Sequence, residues 1–347
     1  MKKTEWKSPA LLFLTAVVWG VAFVAQSVGM DYVGPFTFNC IRCLIGAVVL
    51  VPCIWFLDGW KQRSDGASCG RESAGAPDGA SCGRESAGAP DGASCGREST
   101  GAPSGASDGS HALLAGGICC GLALFVASNL QQIGIQYTTV GKAGFITALY
   151  IVMVPVFGIF LKKRAGIRVW VSVALAVAGL YLLCITDRLA LGKGDILVLL
   201  CAVVFAVHIL VVDHFSAKTD GVRMSCIQFL VCGLLSGVCM LLTEHPEMRL
   251  ILQAWQPILY AGVFSCGVGY TLQIIGQKGT DPTVASLILS LESVVSVLAG
   301  WLLLGQRLSV RELGGCALMF AAILLAQLPE RRQSYHHYQK KESNIYE

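Results

Sequence analysis

The sequence predicts an all-α integral membrane protein: ten transmembrane helices, arranged as two inverted five-helix repeats. Three observations lead there. Of 347 residues, 54% are apolar and 14% charged, whereas soluble domains carry about 25% charged residues. Apolar runs long enough to cross a bilayer recur from one end of the chain to the other. The chain also matches itself when slid by 142 residues.

The first apolar run, 10–28, follows Lys2, Lys3 and Lys7. It is longer than a signal-peptide core and more runs follow it, so it reads as the first span. The second, 36–57, carries Arg42. The remaining spans fall at 112–133, 143–161, 167–184, 196–212, 224–243, 258–274, 282–304 and 313–328. The first repeat then covers 1–57 and 112–190, and the second covers 191–328.

Between the second and third spans lies a segment of another kind, 58–111. It holds DGASCGRESAGAP at 65–77 and again at 78–90, then DGASCGRESTGAP at 91–103. With so few apolar side chains it cannot bury enough surface to fold, and it reads as a disordered cytoplasmic insert. One cysteine every 13 residues lacks metal-ligand spacing. The tail, 329–347, is polar and reads as frayed.

Lys and Arg concentrate on the side that holds both termini. The positive-inside rule therefore places the termini in the cytoplasm, in a multi-pass cell membrane protein. The net charge of +4 is too small and dispersed to imply nucleic acid. Most of the 15 cysteines sit within apolar runs, as small packing residues. Cys40 and Cys43 form a CxxC within an apolar helix, without the context of a redox motif.

The internal repeat is specific. At an offset of 142, Leu130-Gln131 meets Leu272-Gln273, Ile133-Gly134 meets Ile275-Gly276, Ala143 meets Ala285 and Gly158 meets Gly300. AVVWGVAF at 16–23 echoes AVVFAVHI at 202–209. Five spans per half is an odd number, so the halves must lie in opposite orientations. Many secondary transporters are built this way, with a site near the midplane.

The run SLESVVSVLAGWLLLGQRLSVRELGGCALMFAAILL, at 290–325, resembles the signature of the EamA-type branch of the drug/metabolite transporter superfamily. There the ninth span typically reads Ser-Leu-Glu-Pro-Val and ends in Leu-Gly-Glu. Ser290, Leu291, Glu292 and Val294 match; Ser293 replaces the usual proline and Gln306 the usual glutamate. The resemblance implies two inverted five-helix bundles around a central cavity, and alternating-access export or exchange of small metabolites such as amino acids and their derivatives.

Candidate residues are the polar and aromatic ones inside spans. Glu292, near the middle of its span, would cost about 2.5–3.5 kcal/mol facing lipid. It is either a substrate or proton site or a strap between helices. Tyr150 is its partner at the 142 offset, and Thr147 lies one turn earlier. Pro155 follows them and permits a bend. Arg42 either meets an anionic substrate group, pairs with a carboxylate or snorkels to the interface, and Asn39 shares its face. Trp19 either stacks on a substrate or packs. His208 either relays protons or is a hydrogen-bonded packing residue. Asn129, Gln131, Gln132 and Gln273 line a cavity mouth or are simply hydrated.

No hydrolase, kinase, metalloprotease or nucleotide-binding motif is present, so an enzyme is not expected, nor any cofactor or metal. The expected partners are a small-molecule substrate and the lipid bilayer; a homodimer is left open. Multidrug efflux remains an alternative, as does a membrane receptor or scaffold without transport.

Overall fold

Two of the helices that cross the molecule are broken in the middle, and both breaks face its centre. The computed structural model describes residues 7–72, 105–138, 140–162, 166–184, 192–278, 280–305 and 309–327. Its first half contains α1 (Lys7–Gly29), α2 (Pro35–Glu72), α3 (Gly105–Ile135), α4 (Val140–Ala148), α5 (Tyr150–Phe160) and α6 (Ile167–Cys184). Its second half contains α7 (Lys193–Ser216), α8 (Gly221–Thr243), α9 (Met248–Gln253), α10 (Trp255–Leu259), a π-helical stretch (Tyr260–Tyr270) and α11 (Thr271–Gln277). It ends with α12 (Pro282–Leu289), α13 (Glu292–Leu304) and α14 (Val310–Gln327).

The protein is all-helical among the described residues, with eight helical segments long and apolar enough to cross a membrane. Two shorter apolar helices, Ile167–Gly179 and Leu313–Ala326, fall at the fifth and tenth expected spans. The outward faces are apolar: Trp55 and Phe160 are each 80% exposed, as side chains against hydrocarbon would be.

Helix reaches into both ends of the segment expected to be disordered, since α2 continues to Glu72 and α3 begins at Gly105. The repeats from 73 onward lie outside the described residues, as do Gln306 and the tail from 328. Asp58, past the apolar part of α2, pairs with Arg223 at the start of α8, at 2.7 Å. Both side chains are well exposed, so the pair contributes little.

The expected single helix over 282–304 is divided, because serines compete for its carbonyls. Ser286, Ser290, Ser293 and Ser296 each donate a hydroxyl to the carbonyl three residues earlier. Side-chain bonds of this kind bend helices. At the break, the Leu291 amide reaches only to Ile288. In the first half the Leu149 amide reaches only to Ile146, the same pair shifted by 142. There Pro155, inside α5, removes another helical donor. Gly305 closes α13 in the left-handed conformation, at φ 65°.

Helix pairings echo each other across the two halves. α2 packs on α8, and α6 packs on α14. α3 lies against α7 and α8, while the π-helical stretch lies against α1 and α2. α1 packs on α13, as α7 packs on α5. Gly20 permits the α1–α13 contact: a methyl group there would collide with Val295 and the Glu292 carbonyl.

Candidate functional site

A small cavity of about 30 Å³ lies where these helices converge. α1 lines it with Trp19, Phe23 and Gln26, spaced to share one helical face. α2 supplies Arg42 and α3 supplies Gln131. Thr147 comes from α4, just before the first break, and Tyr150 opens α5 just after it. α7 presents Phe205 and Ile209, one turn apart. The π-helical stretch presents Ser265 and Tyr270, and α11 adds Gln273. Glu292 opens α13, just after the second break.

Several lining residues are related by the intervals at which the sequence repeats. Tyr150 and Glu292, and Gln131 and Gln273, differ by 142. Trp19 and Phe205, and Phe23 and Ile209, occupy matching places in the two AVV-initiated motifs.

The polar groups are sparsely paired. Tyr150 Oη donates to Glu292 Oε1 at 3.0 Å. Gln131 Nε2 donates to Thr147 Oγ1 at 3.2 Å. Trp19 Nε1 donates to the Ser265 carbonyl at 3.4 Å, and its ring lies 4.5 Å from that of Tyr270. The Arg42 guanidinium sits 5.6 Å from the Phe38 ring centroid. It forms no ion pair or hydrogen bond among the described residues, and its Nε is buried without a partner. The cavity thus holds a buried cation and a buried carboxyl that are not paired with each other.

Of the residues singled out in the sequence, Glu292, Tyr150, Thr147, Trp19 and Arg42 line the cavity; Asn39 and His208 do not. Asn39 Nδ2 donates to Asn129 Oδ1 at 2.8 Å, and Asn129 donates on to Ser236 Oγ at 3.0 Å. That chain ties α2, α3 and α8 together. His208 is fully buried, with Nε2 3.2 Å from Gln228 Oε1 and its ring edge-on to Tyr270. Cys43 lies 3.5 Å from Cys232 of α8, sulfur to sulfur. Gln26, Phe23, Phe205, Ile209, Ser265 and Tyr270 were not anticipated. The match between 16–23 and 202–209 could have found Phe23, Phe205 and Ile209. Nothing in the sequence marks Tyr270. No cluster of three or more His, Cys, Asp or Glu residues able to hold a metal occurs among the described residues.

A model of the EamA-like transporter family matches residues 6–69 and 192–328. An uncharacterized transporter of Archaeoglobus fulgidus is 25% identical over 318 residues, spanning 91% of this chain and 84% of its own. A solved crystal structure of a protein aligns at a TM-score of 0.65 and 17% identity, over 94% of this chain and 99% of that one. At that identity the likeness concerns the fold alone.

Proposed function

Since the chain belongs to the EamA-like transporter family, we propose that it is a secondary transporter exporting small zwitterionic metabolites, amino acids or their derivatives, by alternating access. The observation that carries this reading is the pair of charged side chains in the cavity. Arg42 offers an unpaired guanidinium, suited to a carboxylate. Glu292, bonded to Tyr150, offers an acceptor for an ammonium group, and Trp19 and Tyr270 offer aromatic faces beside it. At about 30 Å³ the cavity has room for water alone, so admitting such a solute requires the bundles to move apart.

The transport cycle follows from an inverted repeat of five spans each. The matching breaks at Leu149 and Leu291, the echoed helix pairings and the repeat-related lining residues support this architecture. The two short apolar helices, Ile167–Gly179 and Leu313–Ala326, serve as the fifth and tenth spans. Rocking one bundle against the other exposes the cavity to each side in turn. The distribution of Lys and Arg supports cytoplasmic termini in the cell membrane.

A second reading, efflux of amphipathic toxic compounds, draws on the aromatic wall of Trp19, Phe23, Phe205 and Tyr270. Arg42 opposes it for cationic drugs, which would meet a buried positive charge. Counterflow in proteoliposomes separates the two. Labelled amino acids should exchange against unlabelled amino acid inside, and lipophilic cations should neither exchange nor compete. Exchange of the cations alone would overturn the amino-acid reading.

A further inference from the structure

Beside the cavity, where α7, α8 and α11 meet, lies a second group of buried polar side chains. His208 comes from α7, Ser225 and Gln228 from α8, and Thr271 from α11. His208 Nδ1, Ser225 Oγ, Gln228 Nε2 and Thr271 Oγ1 all lack a hydrogen-bond partner. The bond between His208 and Gln228 holds two of them together. α11 packs on both α7 and α8, and Ile274 of α11 closes on Gly221 at the start of α8.

Ser225 lies one turn from Gln228, and Thr271 follows Tyr270, whose ring packs on His208; unpaired buried polar atoms of this kind favour uptake of water or a polar solute. The repeat gives the group a further meaning. Aligning the starts of α2 and α8 places Asn39 with Ser225 and Arg42 with Gln228. His208 falls with the cavity-lining Ala22. His208 and Gln228 therefore occupy, in the second half, places that line the cavity in the first, and Ser225 matches Asn39 beside it.

Tyr270 stands between the two compartments. It lines the cavity and its ring lies 4.5 Å from Trp19. It also lies 6.0 Å from the His208 ring and 5.4 Å from Phe229. It is the last residue of the π-helical stretch. Such winding often marks functional sites, and rewinding to an α-helix would turn this ring about the helix axis.

We propose that His208, Ser225, Gln228 and Thr271 line a hydrated transit site on the way from the cavity to the α7–α8 end of the molecule, and that Tyr270 is the gate between them. The site carries hydrogen-bonding groups and no carboxylate or guanidinium, so it passes a zwitterion without trapping either charge. The inference rests on the transport reading above, but its test does not need flux.

Single cysteines at Ser225 and Thr271 are placed in a background without native cysteines and reconstituted into liposomes. A membrane-impermeant methanethiosulfonate is then applied from the side on which a Lys218→Cys control reacts. Both thiols should react slowly in the parent and at least tenfold faster with Tyr270→Leu or Tyr270→Ala. Ala176→Cys, fully buried in α6, should stay unreactive and so report on folding. If Tyr270→Ala unfolds, the less drastic Tyr270→Leu decides. Thiols that remain unreactive in the folded gate variants, yet react in denaturant, overturn the proposal. Gated labelling in a protein that moves no solute would instead overturn the transport reading and leave the gate standing.

Discussion

Tyr150 donates a hydrogen bond to Glu292 across 3.0 Å, and the two residues are 142 apart, the interval at which the chain repeats. A residue thus bonds its own repeat equivalent. Contact between equivalents is what a local two-fold axis passing between them produces. Each also opens the outgoing half of a broken helix, α5 and α13 respectively. Across that contact Tyr150 supplies the donor and Glu292 the acceptor.

Replacing Glu292 by Gln keeps the shape and the bond from Tyr150 but removes the carboxylate. Export of a zwitterion should fall at least tenfold, equivalent to about 1.4 kcal/mol at the limiting step. Membrane level and thermal stability should stay near the parent, because no cavity is created. Flux in proteoliposomes and a thermal melt of the same preparation check both halves. Normal flux would reduce Glu292 to a strap between helices.

Arg42→Gln should separate the two ends of the substrate. A carboxylate loses its bidentate partner, so amino-acid exchange should drop at least tenfold. Decarboxylated amines of the same side chain should then compete as well as, or better than, the amino acid. Equal loss for amine and amino acid would assign Arg42 a structural role.

Much of this was legible because membrane sequences carry long, simple patterns. Apolar runs located the eight long spans, and the 142 offset paired Tyr150 with Glu292. The cavity was less legible where local bonding overrides periodicity. Asn39 lies one turn from Arg42, yet Asn129 and Ser236 draw it toward α3 and α8 instead. Ser265 and Tyr270 are five residues apart, a spacing that parts them on an α-helix but aligns them in i→i+5 winding. The close approach of Gly262 to α2 and of Gly269 to Trp19 fixes that stretch, and neither contact is written in the local sequence.

Asn39→Ala should act on stability rather than on selectivity. It leaves Asn129 Oδ1 buried without its donor, which costs about 1–3 kcal/mol. The unfolding midpoint in detergent should fall while KM for the exported solute stays at the parent value. A changed KM with an unchanged midpoint would return Asn39 to the binding site.

The proposed inverted repeat makes a prediction that needs no substrate. The α1–α2 connection and the α7–α8 connection are equivalent under the offset that aligns 16–23 with 202–209, so Tyr32 corresponds to Lys218. Both residues are exposed in turns between helices. If five spans separate equivalent positions, the two must lie on opposite sides of the membrane. In a background without native cysteines, Tyr32→Cys should react with an impermeant thiol reagent in intact cells. Lys218→Cys should react only after permeabilisation. Gly192→Cys, at the other end of α7, should behave like Tyr32→Cys, because a 24-residue helix spans about 36 Å and crosses once. The opposite pattern at all three sites would reverse the orientation and keep the repeat. Labelling of Tyr32→Cys and Lys218→Cys from the same side would remove the inverted repeat itself, and with it the alternating-access cycle built on it.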